Sequence, residues 1–157
     1  MNASRGERQE LKLSEAAQTL IEECRMVLPG VQATFGFQLM VVFQQKFGEE
    51  LDKPYQLLHL AALMLVAISA ALIMAPAAYH RIHGPREVSD HFIRLSSRLL
   101  LWALGPLALG LSLDVFLLGK LVLGRDAIAA ALGLFVFGVM VFMWYAFPHA
   151  AKRRTRN

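Results

Sequence analysis

Four long apolar runs, set apart by short charged stretches, constrain this chain more than any other feature. They extend over about residues 26–45, 57–78, 99–118 and 127–147. Each is close to the ~20 residues with which an α-helix crosses a ~30 Å hydrocarbon layer. Backbone polar groups inside lipid find no water, so such runs must satisfy themselves as helices. The expected fold is all-α: an integral membrane four-helix bundle, preceded by an amphipathic helix, with both termini cytoplasmic. The expected division is a cytoplasmic segment over 1–25, the bundle over 26–147 and a basic cytoplasmic tail over 148–157.

A chain of 157 residues suits one domain rather than two. Its hydrophobic fraction of 56% exceeds that of an ordinary soluble domain. The formal net charge is +4, and the basic residues cluster at the ends of the apolar runs. That placement suits anionic lipid headgroups rather than nucleic acid. Cys24 is the sole cysteine, which excludes an intramolecular disulfide and a Cys-rich metal centre. The first ~25 residues are charged and lack an apolar centre, so no cleavable signal peptide is expected.

Basic residues mark the cytoplasmic flank of membrane segments. Arg5, Arg8, Lys12 and Arg25 precede the first run. Arg81, Arg86, Arg94 and Arg98 lie between the second and third, and Lys152, Arg153, Arg154 and Arg156 follow the fourth. The other side holds only Lys46, Lys53, Lys120 and Arg125. This bias predicts that both ends face the cytoplasm. Tyr79, Trp102, Trp144 and Tyr145 fall at the same inner boundary, where amphipathic rings prefer to sit.

Leu13, Ala17, Leu20 and Cys24 recur at helical spacing, with Glu15, Gln18, Glu22 and Glu23 on other faces. Pro29-Gly30 predicts a kink or a fresh helix start. Residues 47–56 read as an outer loop, Gly84-Pro85 as an inner turn, and Asp126 as the N-cap of the fourth helix. Small residues suggest seams for close packing: Ala67, Ala71, Ala75 and Ala78; Ala103 and Gly110; Ala127, Ala131 and Gly138.

The first run is the most polar. At about 100° per residue, Thr34, Gln38 and Gln45 share one face and Gln32 lies on another. These residues either join helices or line an ion pathway. Asp114 is the only formally charged side chain inside the four runs. A carboxylate there binds a cation or proton, or pairs structurally with Lys120, Lys46 or Arg125. His80, His83 and His149 gather at the inner end as candidates for pH sensing or ligand binding. His80 and His83 could share a metal with His91, Asp90 or Glu87, and His80 with His149 could hold haem, but neither spacing is specific. No metal and no cofactor is expected. His59 stands alone at the outer start of the second helix, within possible reach of Asp114. No nucleophile elbow, P-loop or dinucleotide fingerprint is present, and no catalytic residue is expected.

The segment Arg25-Met-Val-Leu-Pro29-Gly-Val-Gln32-Ala-Thr-Phe-Gly36-Phe-Gln38 resembles the opening helix of an uncharacterised family of small bacterial four-span proteins. Ala75-Pro-Ala-Ala-Tyr-His80-Arg81 is similar to that family's second-helix ending. The resemblance covers about residues 22–147 and implies a bacterial inner-membrane location. It implies no activity.

The leading expectation is a homo-oligomeric channel or ion-coupled transporter for a monovalent cation or proton, with lipids and further copies of the chain as partners. An accessory subunit of a larger membrane complex and a haem- or quinone-linked redox protein are the alternatives.

Overall fold

The computed structural model describes residues 3–83 and 90–154, with side chains left aside at 3–12, 14, 45–46, 83, 90 and 151–154. The Gly84-Pro85 turn, Arg86 and Glu87 lie outside the described residues, as do the side chains of Gln45, Lys46 and His83. Helix α1 spans Ala3–Val42, α2 Gln45–Glu50, α3 Lys53–His83, α4 Asp90–Leu123 and α5 Asp126–Val141. A π-turn over Phe142–Ala146 leads into α6, Phe147–Arg154. No strand occurs among the described residues.

Three helices are long and apolar enough to cross a membrane: Lys53–Ile82, His91–Leu123 and Asp126–Ala150. The composition of α1 falls short, because Gln32, Thr34 and Gln38 interrupt its apolar half and the helix stops at Val42. At 40 residues α1 is about 60 Å long. It passes through Pro29 without a break in helical assignment, so the amphipathic segment and the first apolar run form one rod.

Residues 47–56 are not simply a loop. Phe43 and Gln44 turn the chain, α2 follows, and α3 begins at Lys53. Pro54 suits the first turn of α3, where its missing N–H would have no partner within the helix. Asp126 does not cap α5 with its side chain; Arg125 holds the N-cap position. The Asp126 carboxylate turns back to the Lys120 ammonium and accepts a hydrogen bond from Tyr55 Oη at 3.1 Å. Gly124 takes φ +66° between α4 and α5, and its N–H donates to the Lys120 carbonyl at 2.9 Å. This left-handed glycine closes the C-terminus of α4.

The helices alternate in direction. Cys24 and Val31 of α1 share a core with Ile73 of α3 and Ala103 and Leu107 of α4, against which Trp144 packs. Beyond this core, toward His83, the ring of Tyr79 stacks on Phe92 with centroids 5.5 Å apart. Gln38, His59 and Asp114 meet toward the opposite end. Helix α4 is central: α3 and α5 flank it, and α1 packs on α3 and α4.

Packing follows faces different from two of the expected seams. On α3 the buried residues are His59, Ala62, Val66, Ser69, Ile73 and Pro76, whereas Ala71 and Ala78 are exposed. On α5 they are Ala129 and Gly133, whereas Ala127, Ala131 and Gly138 are exposed. Ala103 and Gly110 on α4 are buried as expected. A Cβ on Gly110 would lie 3.0 Å from Val66 Cγ2, and one on Gly133 would lie 2.9 Å from the Ser112 carbonyl oxygen. Ser69 Oγ donates across to the Ala103 carbonyl at 2.8 Å, and Tyr145 Oη to the Leu101 carbonyl at 2.8 Å. Close backbone approach and interhelical hydrogen bonds are the contacts that hold helices together in lipid.

Gly133→Ala and Gly138→Ala gain the same helix propensity, but only the first meets a backbone atom; Gly138 has nothing within 4 Å of an added Cβ. Denaturation in detergent should find Gly133→Ala less stable than Gly138→Ala by about 1–3 kcal/mol. Equal stabilities would contradict the α4–α5 contact.

Candidate functional site

The polar centre forms where α1, α3 and α4 converge. Gln38 is 4% exposed and His59 5% exposed. Gln38 Nε2 donates to Asp114 Oδ2 at 2.6 Å. His59 Nδ1 lies 3.6 Å from Asp114 Oδ1. His59 Nε2 is 2.9 Å from the backbone carbonyl of Gln38. One carboxylate therefore joins three helices through two side chains, and the histidine returns to the backbone of the first.

The hydrogen-bond directions follow from chemistry. A carbonyl oxygen only accepts, so His59 Nε2 carries a hydrogen and donates to Gln38. Its Nδ1 then faces a carboxyl oxygen. Two lone pairs cannot attract each other, so this pair is favourable when one proton lies on either Nδ1 or Asp114. Each form is neutral overall: an imidazolium with a carboxylate, or a neutral imidazole with a carboxylic acid. Neutrality suits a site in apolar surroundings, where net charge is costly.

Gln38 Oε1 is buried and has no hydrogen-bond partner among the described residues. Such an orphan is unusual in a buried polar group. The Gln38 amide cannot be turned to relieve it, because Oε1 would then face the Asp114 carboxyl in place of the donor.

The centre borders a cavity of about 830 Å³. Phe37, Val41, Phe43, Leu117, Leu118 and Leu121 form its apolar wall, and Thr34, Gln38, Gln44, His59 and Asp114 its polar edge. Phe47 and Leu51 line its end toward α2. The Phe47 ring meets His59 edge-on at 5.2 Å, and Gln56 Nε2 donates to the Leu51 carbonyl at 2.7 Å, which holds this segment over the site.

The expected site residues separate clearly. Gln38 and Asp114 meet directly. Thr34 lines the same cavity, with its hydroxyl donating to the Gly30 carbonyl at 3.0 Å. Gln32 is exposed on another face and does not join them. The Gln45 side chain lies outside the described residues, and its neighbour Gln44 lines the cavity. Lys120 does not pair with Asp114; it binds Asp126 and lies over the Tyr55 ring at 5.3 Å.

At the other end, the His80 ring packs near Phe92, with centroids 5.9 Å apart. His149 Nδ1 is 2.6 Å from the Tyr145 carbonyl one turn earlier on its own helix. The two histidines thus engage different partners. Among the described residues no three His, Cys, Asp or Glu side chains gather as a metal-ligand set. Cys24 is buried, and burial, then the neighbouring Glu23, push its thiol pKa up, which suits packing rather than nucleophilic chemistry.

Phe47 and Leu51 are the site residues that sequence reasoning left out, and the approach of His59 to Asp114 was raised without a spacing to show it. A signal for His59 exists in retrospect. It precedes the end of α3 at His83 by as many residues as Asp114 follows the start of α4 at Asp90. In an antiparallel pair, equal counts from the shared end bring two residues to similar height.

The fold and the site define a helical protein built on three apolar helices of membrane length, with one carboxylate shared among three helices. Within that class, the chain belongs to a family of unknown function, DUF6328, whose family model matches residues 6–148. No curated protein and no solved structure matches the chain.

The Gln38–Asp114 bond should appear as a non-additive pair. In a cycle of Gln38→Leu, Asp114→Asn and the double variant, detergent unfolding should give a coupling of about 1–2 kcal/mol. Additive losses would show that the two side chains do not interact in solution.

Proposed function

We propose that the chain is an ion-coupled membrane transporter whose proton or monovalent-cation site is the Asp114–His59–Gln38 centre. The observation that carries this reading is the carboxylate itself. Its two oxygens face a donor from α1 and a titratable ring from α3, beside a cavity large enough for a small molecule. An intramembrane carboxylate with a titratable neighbour suits ion or proton handling. A change of proton or cation at the centre alters the links among α1, α3 and α4 directly. Such a change couples occupancy to the position of α1 and of the cover formed by Phe47 and Leu51.

An internal site favours a transporter over a pore made by a ring of subunits. In the ring arrangement Asp114 would face a shared axis, whereas here Gln38 and His59 of the same chain engage it. In our reading α1 serves as a fourth span over its apolar half, because Gln38 places it against two membrane-length helices. In the same reading the bias of basic residues supports cytoplasmic termini with the cavity toward the outer face, and the family resemblance supports a bacterial inner membrane. The exposed face of α5, with Leu134, Phe135 and Phe142, is available to lipid or to a second copy.

Two experiments test these statements. In intact cells, a cysteine at Glu49 in a Cys24→Ser background should react with a membrane-impermeant maleimide, and one at Arg81 only after permeabilisation. The opposite pattern would invert the topology. In proteoliposomes holding a pH-sensitive dye, gradients from a panel of inorganic and organic monovalent cations should drive proton movement. Asp114→Asn should reduce it by roughly tenfold or more, the scale of one charge-assisted hydrogen bond. Equal movement in Asp114→Asn, or none with any cation in the native protein, would overturn the transport reading.

A further inference from the structure

The cavity beside Asp114 has a shape and a lining that narrow what the site holds. We propose that it binds a lipophilic organic monocation, which takes the place of the proton held between His59 and Asp114. This assignment rests on the reading of Asp114, His59 and Gln38 as an ion site and names its substrate class.

Three observations converge on an organic cation. At about 830 Å³ the cavity lies in the size range of small-molecule sites and far exceeds a bare metal ion. Hard metal cations prefer a shell of oxygen ligands, whereas this wall is dominated by Phe37, Val41, Phe43, Leu117 and Leu121. Phe37 and Phe43, both largely exposed, belong to the wall, and the face of an aromatic ring attracts a diffuse positive charge. The polar edge is acceptor-rich on the side of the carboxylate: Asp114 Oδ1 faces His59, and among the described residues Gln38 Oε1 has no partner. A ligand carrying positive charge and apolar groups matches both parts.

Charge balance sets the valence. A centre that carries one proton, on His59 Nδ1 or on the Asp114 carboxyl 3.6 Å away, is neutral. When a monocation approaches Asp114, that proton leaves to water, from Nδ1 of the imidazolium or from the carboxylic acid. His59 then remains neutral, with Nε2–H still donating to the Gln38 carbonyl. One positive charge replaces another, and the site stays neutral. A dication would leave net charge in an apolar setting, and a neutral ligand would not displace the proton.

Among the described residues the surrounding titratable groups do not supply an alternative counterion. His59 is the one facing Asp114 from α3, and α1 contributes the uncharged Gln38. Further along α4, Lys120 is engaged by Asp126 of α5 and lies over Tyr55 of α3. On α2, Glu49 and Glu50 are exposed, and the side chain of Lys46 lies outside the described residues.

The test is equilibrium binding of tetraphenylphosphonium to the full chain in lipid nanodiscs, corrected with empty nanodiscs. Triphenylphosphine oxide serves as a neutral ligand with similar rings. The native protein should bind the phosphonium saturably and release a single proton per cation bound in weak buffer. Acid should displace it. Asp114→Asn should weaken binding by at least roughly tenfold. Leu117→Trp, which fills the cavity and leaves the carboxylate, should also weaken it. Equal binding of the neutral oxide, binding without proton release, or undiminished binding in Asp114→Asn would overturn the assignment. Phosphonium binding with proton release but without cation-driven flux would leave the ligand standing and remove transport. Flux with inorganic cations alone, and no phosphonium binding, would do the reverse.

Discussion

A carboxylate placed in an apolar span must be satisfied by whatever side chains can reach it, and Asp114 is the constraint around which this bundle is arranged. Its partners come from two other helices rather than from its own. That requirement brings α1, the least apolar of the long helices, against the α3–α4 pair. The polar residues that make α1 the least apolar of the long helices are partly the ones that dock it. Gln38 contributes at two atoms at once, its amide to Asp114 and its backbone carbonyl to His59. The cost of a half-buried carboxyl and that of the buried Gln38 amide are thereby offset together, with one acceptor, Gln38 Oε1, left over among the described residues.

The two ends of the bundle are built differently. Toward His83, aromatic stacking and apolar packing dominate, with Tyr79 on Phe92 and Trp144 against the core. Toward Asp114, polar contacts surround an open cavity, and a short helix lies across it. Helix α5 leans on α4 through Ala129 and Gly133 and leaves Phe135 and Phe142 outward. A tightly packed end, a cavity at the other and a helix covering its mouth make an asymmetric frame.

How much of this was legible before the fold was known depends on the kind of signal. The apolar runs announced the long helices, because length and hydropathy act locally. Asp114 and Gln38 stood out because polar groups in such runs demand partners. Their pairing with each other did not stand out, since periodicity gives the face of a helix but not the rotation of its neighbour. The alanine seam of α3 misled for a related reason. In lipid, small and large apolar residues are both tolerated on an outward face, so Ala71 and Ala78 sit outside while Val66 and Ile73 sit inside. Helix α2 was hidden because Gly48, Glu49 and Glu50 read as a break, and tertiary contact through Phe47 and Leu51 outweighs that local preference. Asp126 looked like a cap, but Lys120 and Tyr55 lie within reach and claim its carboxylate.

The central claim is that the Asp114 carboxyl reaches across to α1. Solid-state NMR recoupling between the Gln38 side-chain nitrogen and the Asp114 carboxyl carbon, in native-sequence protein in bilayers, measures that contact directly. The account predicts strong dipolar build-up from a directly hydrogen-bonded pair, absent in Gln38→Leu. No build-up in well-folded protein would mean that Asp114 finds its partner elsewhere, and would contradict the account.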